Sequence, residues 1–184
     1  HADDLHQRWS QLPARLRENE EVLLGYAIRA GELGLESEAA EALADAVDQH
    51  WNESLVHRFA LLPAAREDTR LARAQQWLGD HPSRDALALC IGRLCLRAQP
   101  LAKAEEMLHR AIAQGAGAEA WEELGHLNTV RNDAGRAQVC YLNAIRSLRG
   151  EPVRSLEGRS LREQIADEAV AEQRDEHGLP RLRN

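Results

Sequence analysis

The chain has 184 residues, a formal charge of −7 and only 4% aromatic residues. With 30 acidic residues against 23 basic ones, it offers no net positive field to hold a phosphate backbone, which excludes nucleic acid as a partner of the chain as a whole. It contains no apolar run of about 18 residues, the length a membrane span requires, and its abundance of Ala, Leu, Arg and Glu over β-branched residues predicts helix throughout.

In chain order, the periodicity predicts a first helix through Trp9, then helix pairs at 19–33 with 37–49, 52–61 with 68–79, 84–97 with 101–114, and 118–131 with 134–148. Gly34, Gly115 to Gly117 and the "NDAG" at 132–135 supply turns. Pro63 is expected to end the first helix of the second pair early, and "HP" at 81–82 to close the second. The stretch "GEPVRSLEGRS", 150–160, is a break. Beyond it, 161–176 is charged and weakly periodic, which fits either a capping helix or a disordered tail.

A 33-residue period runs through the second half. Gly92 and Gly125, Ala104 and Ala137, Leu108 and Tyr141, and Ala111 and Ala144 all stand 33 apart. Small residues at fixed offsets mark a place where two helices cross too closely for a larger side chain, and the large residues fill the holes beside them. The pattern, fullest in Trp121, Leu124, Gly125, Ala137, Tyr141 and Ala144, resembles the tetratricopeptide repeat, a helix-turn-helix of about 34 residues. Leu23, Ala27, Ala39, Leu43 and Ala46 form an earlier copy, and the unit between is degenerate. The resemblance implies an all-α, right-handed superhelix of about four antiparallel helix pairs with flanking helices. It would form one domain over 1–149, with units at about 19–50, 51–82, 84–115 and 118–149, followed by a linker and a charged capping helix or tail over 150–184.

Four segments carry a narrower likeness: "LHQRWSQLP" at 5–13, "VDQHWNESLVHRF" at 47–59, "AQQWLGDHP" at 74–82 and "IGRLCLRAQPLAKAEEML" at 91–108. Their order resembles that of the HemY family, bacterial inner-membrane proteins linked to a late part of haem biosynthesis and distinct from the flavin-dependent oxidase that shares the name. The likeness covers roughly residues 5 to 148. It departs from the family at Pro100-Leu101-Ala102, where an apolar aromatic is usual, and after Gly150. It implies a chain whose membrane anchor lies upstream, consistent with a start at His1 without Met, and whose soluble part faces the cytoplasm and binds other proteins, late haem-synthesis enzymes among them.

Chemistry is poorly represented. No glycine-rich nucleotide loop, nucleophile elbow or H-E-x-x-H occurs, so no catalytic residue is assigned. Cys90, Cys95 and Cys140 are too few for a disulfide framework and fit a reducing compartment. Cys90 and Cys95 lie about 140° apart around one helix and do not converge on a ligand. The histidines, His177 among them, are scattered, and no metal or cofactor site is expected. An alternative, a haem or porphyrin carrier, would draw on His50, His57 and His81 around the second unit, near Trp51 and Trp77. A further alternative is a generic repeat adaptor unrelated to haem.

The remaining candidate is the groove that tetratricopeptide arrays line with the inner face of each first helix. Transferring that frame places Leu89, Arg93, Leu96 and Arg97 there from the third unit, and Glu119, Glu122, His126 and Thr129 from the fourth. Arg93 and Arg97, at i and i+4, share a face on which they would grip a partner's carboxylate. Lys and Asn of the chaperone-tail clamp are missing from these positions.

Overall fold

The computed structural model describes residues 1–65 and 68–169, and among these every regular element is an α-helix. In order they are α1 (Ala2–Gln11), α2 (Ala14–Arg17), α3 (Glu20–Glu32), α4 (Glu36–Gln49), α5 (Glu53–Leu61), α6 (Arg70–Asp80), α7 (Asp85–Ala98), α8 (Leu101–Gln114), α9 (Gly117–Val130), α10 (Ala134–Leu148) and α11 (Leu161–Glu168). The chain divides into two compact units, His1–Ala74 and a second from Gln75 onward, so the boundary falls inside α6.

Local chemistry sets the helix ends. Asn19, Asn52 and Asp133 each accept a hydrogen bond from the backbone N–H three residues on, the side-chain cap that a helix start requires. The "NDAG" turn is made by Asn132, which sits at φ 60° in the left-handed region, while Gly135 lies inside α10. Asn tolerates that conformation better than other side chains. α5 stops at Leu61 because Leu62 must be extended before Pro63.

In the first unit, α3, α4 and α5 bury Leu23, Ala27, Leu43, Val47, Val56 and Phe59. Arg70 closes this core from the side. It is buried, and its guanidinium donates to the carbonyls of Phe59 (2.9 Å), Leu62 (2.8 Å) and Pro63 (3.1 Å) and to Asp68. The last carbonyls of α5, which the extended Leu62-Pro63 leaves without helical donors, thus find a charged one.

The second unit is built on two helical hairpins, α7 with α8 and α9 with α10, set side by side through α8 and α9. A Cβ on Gly92 would stand 2.6 Å from Leu108 Cδ2, and one on Gly125 would stand 2.6 Å from Tyr141 Cδ1. The 33-residue period therefore records one contact made twice: a helix backbone resting on the large residue of its partner helix.

Segment 150–160 carries no helix but is fastened. Buried Asn143 on α10 donates to the Arg154 carbonyl (2.8 Å) and accepts from its N–H (2.7 Å), and Arg146 donates to the Pro152 carbonyl. α11 then begins with a full capping box, Ser160 with Glu163, and packs on α8. The expected capping helix over 161–176 is thus a helix only through Glu168, and its continuation from residue 170 lies outside the described residues. Arg159 and Asp167 form a largely buried ion pair at this contact, and burial holds the Asp167 carboxyl above its ordinary range against the pull of Arg159. His109 is buried in the same region. Desolvation, helped by the charges of Arg159 and Arg136 and opposed by Glu105 and Glu163, lowers its pKa to about 4, and its Nε2 has no hydrogen-bond partner.

Two predictions follow from this packing. Gly125→Ala should destabilise the protein by about 1–3 kcal/mol through overpacking on Tyr141. Gly25→Ala, on α3 with open space around it, should stabilise it by about 0.5–1 kcal/mol; urea unfolding of both variants measures the contrast. As pH falls, the unfolded chain protonates His109 near 6.5 but the folded chain only near 4, so stability held at neutral pH is lost across that window, by roughly 3 kcal/mol. In His109→Leu, which copies the Leu142 found one repeat later, that part of the pH dependence should vanish, and comparing unfolding of the two proteins at pH 7 and 4.5 isolates it from the other titrating groups.

Candidate functional site

α7 and α9 are the first helices of neighbouring hairpins and pack against each other, so the predicted groove residues do fall on adjacent helices. They do not form one open surface. Leu89 is buried, Leu96 is half-buried, and Arg97, Glu119, Glu122, His126 and Thr129 are exposed.

Arg93 differs most from expectation. Only 6% exposed, it donates from Nε to Glu123 (2.7 Å) and from a terminal nitrogen to Glu119 (2.6 Å). Burial pulls its pKa down, and hydrogen bonds and charge from Glu123 and Glu119 more than offset that, leaving the guanidinium above its ordinary value. Arg93 is therefore a strut tying α7 to α9, and the carboxylates it grips belong to this chain and not to a partner. Its charge is neutralised where a partner would have met it.

Glu123 also accepts from His126 Nδ1, at 3.3 Å, when that nitrogen carries its proton, and His126 meets the Tyr141 ring edge-on at 5.7 Å. Thr129 donates to the Gly125 carbonyl (2.9 Å) and lies 3.3 Å from the Tyr141 hydroxyl. The α9 side of the candidate surface is thus pre-ordered on α10. Sequence reasoning missed Glu123. The signal was present in the i, i+4 spacing of Glu119 and Glu123, which offers two carboxylates to one guanidinium.

The haem-carrier alternative draws on His50, His57 and His81. His50 is exposed at the end of α4, His57 is half-buried on α5, and His81 follows α6. Among the described residues no three His, Cys, Asp or Glu side chains are grouped to hold a metal ion, and His177 lies outside them. Cys90, Cys95 and Cys140 are buried. Burial raises the Cys95 thiol and pushes Cys140 up to about 11, so both stay protonated and unreactive at neutral pH. Trp77 and Trp121 are buried.

The first unit contains a cleft of about 560 Å³ that sequence reasoning did not anticipate. Trp9 stacks on Tyr26 (3.9 Å between ring centroids, 7° between planes), Trp51 and His50 line another part of the wall, and Glu18, Glu20, Glu38, Glu41 and Asp45 supply carboxylates. Burial, with Glu38 nearby, raises the Tyr26 pKa.

Compared with known proteins, the chain matches no family model, no curated protein and no solved structure. Among the described residues no helix is long and apolar enough to cross a membrane.

Arg93→Leu should cost about 2–4 kcal/mol, because Glu123 and part of Glu119 lose their counter-charge at a desolvated site. Glu122→Ala, one residue away on the exposed face, should stay within about 0.5 kcal/mol of wild type. Equilibrium denaturation of the two variants separates a strut from a surface charge.

Proposed function

We propose that this chain is a non-catalytic, tetratricopeptide-like scaffold of the HemY kind, which holds other proteins, late haem-synthesis enzymes among them, at the bacterial inner membrane. The observation that carries the reading is the twice-made contact of Gly92 with Leu108 and Gly125 with Tyr141, 33 residues apart, in two hairpins set side by side. Such an arrangement leaves a row of first helices available to partners, and its exposed members, Arg97, Glu122 and His126 among them, are where a partner would be read. The haem link rests on the four segments between residues 5 and 108 that resemble the family.

The carrier alternative is the weaker one on physical grounds. The cleft that includes His50 is lined by five carboxylates against one arginine, Arg17, a net negative charge that opposes the propionates of a porphyrin.

Crosslinking and capture from bacterial membranes, with the protein as it occurs in the cell, tests the scaffold. Wild type should retain late haem-synthesis enzymes, and a variant with Arg97→Glu and Glu122→Arg, both at exposed positions, should retain several-fold less. If wild type captures other proteins but none of these enzymes, the haem link fails and a generic adaptor is the better account. A saturable Soret band on haem titration of the purified chain would favour the carrier.

A further inference from the structure

We propose that the cleft of the first unit holds an extended, arginine-bearing segment of another protein, received by aromatic rings on its floor and by carboxylates on its rim. Burial separates the two layers. Tyr26 and Leu55 are buried, Trp9 and Trp51 are half-buried, and all five carboxylates that line the cleft are exposed. Tyr26 is the deepest polar group: it is only 6% exposed, and its hydroxyl has no hydrogen-bond partner among the described residues. A hydroxyl so placed, beside the ring of Trp9, lacks the partner that a buried polar group requires, and a guanidinium would donate to it.

The rim is short of positive charge. Glu20 accepts from Asn52 (2.8 Å), and Asp45 stands 3.9 Å from Arg73, but no basic group of the chain pairs with Glu18, Glu38 or Glu41 among the described residues. Arg17 is the one arginine at the cleft, so charge complementarity calls for a cation from outside. The carboxylates do not converge on a point: among the described residues no three His, Cys, Asp or Glu side chains are grouped to hold a metal ion. Glu38, Glu41 and Asp45 instead follow one face of α4 at spacings of three and four, a row about 10 Å long. Alternate side chains of an extended segment stand about 7 Å apart on one side, so the row has room for two of them. Arginine fits both layers, because its planar guanidinium stacks on aromatic rings and offers paired donors to a carboxylate, where a lysine ammonium is a compact point charge. The cleft lies in the first unit, so the inference does not rest on the groove of α7 and α9.

The test uses fluorescence anisotropy of a labelled peptide, acetyl-Gly-Arg-Ser-Arg-Gly, with the purified chain at low salt. Binding should be saturable, with a Kd of roughly 10 to 200 micromolar. The same peptide with citrulline for arginine, which keeps the shape and loses the charge, should bind at least about tenfold more weakly, and a lysine version several-fold more weakly. Glu38→Gln with Glu41→Gln, both exposed, should lose about tenfold in affinity while keeping the helical signal, and Tyr26→Phe should lose several-fold. Glu157→Gln with Glu168→Gln removes the same charge at exposed positions outside the cleft and should change the Kd by less than about twofold. Absence of saturable binding, equal binding of the citrulline peptide, or full affinity in the Glu38/Glu41 double variant would each overturn the proposal. Spermidine that binds more tightly than the peptide would overturn it too, in favour of a site for a free polyamine.

Discussion

The absence of a side chain at Gly92 and Gly125 is the constraint on which the second half of the molecule depends. With Leu108 and Tyr141 seated against those backbones, each hairpin closes to a distance that no β-carbon would allow. That closeness brings Cys95, Met107 and Leu108 in one hairpin, and Leu124 and Cys140 in the other, into a dry interior. It also fixes the rotation of α9 about its own axis, and so decides that Glu119 and Glu123 turn toward α7 while Glu122 turns to solvent. The electrostatics of the candidate surface follow from a packing decision one helix away.

Arginine in this chain is directed inward as much as outward. Lys103 is the only lysine, and the composition alone suggests a surface suited to binding foreign carboxylates. Yet Arg70, Arg93 and Arg159 are all buried or nearly so, and each engages groups of this chain: the carbonyls at the end of α5, the carboxylates of α9, and Asp167 of α11. The planar fork of donors makes arginine suited to such junctions, because it satisfies several acceptors at once without moving. The recognition capacity that composition implies is reduced accordingly to the arginines that remain exposed, Arg97 among them.

The helices from α3 to α10 were legible in the sequence to within one or two residues because their ends are local chemistry: Asn19, Asn52 and Asp133 at the starts, Pro63 and Gly115 at the stops. The short α2 was not, since four residues after Pro13 carry no period. The close contacts at glycine were legible as well, from recurrence at 33. What was illegible is contact across elements between polar groups. Nothing in the spacing of Arg93 and Arg97 says that one is buried and the other exposed; that depends on where α9 stops rotating. Nor does the break at 150–160 announce that Asn143 will hold Arg154 by both of its backbone groups and lead α11 back to α8. The acidic, aromatic cleft of the first unit joins residues from 6 to 55, and no local pattern marks its members.

The two repeats also differ where the same fold position meets different surroundings, and the differences are informative. One repeat on from His109, Arg110 and Ile112 stand Leu142, Asn143 and Ile145. On α8 the polar pair lies under α11, where His109 is forced neutral and Arg110 feels the charge of Asp167. On α10 the position of His109 is held by an aliphatic residue, beside an Ile145 that is about half exposed. A histidine exchanged for leucine makes sense on a helix covered by another apolar surface, and makes little on one facing water, where it would only add to the exposed apolar area. On α10 the cover comes from segment 150–160 and not from a helix, with buried Asn143 holding Arg154 by both of its backbone groups.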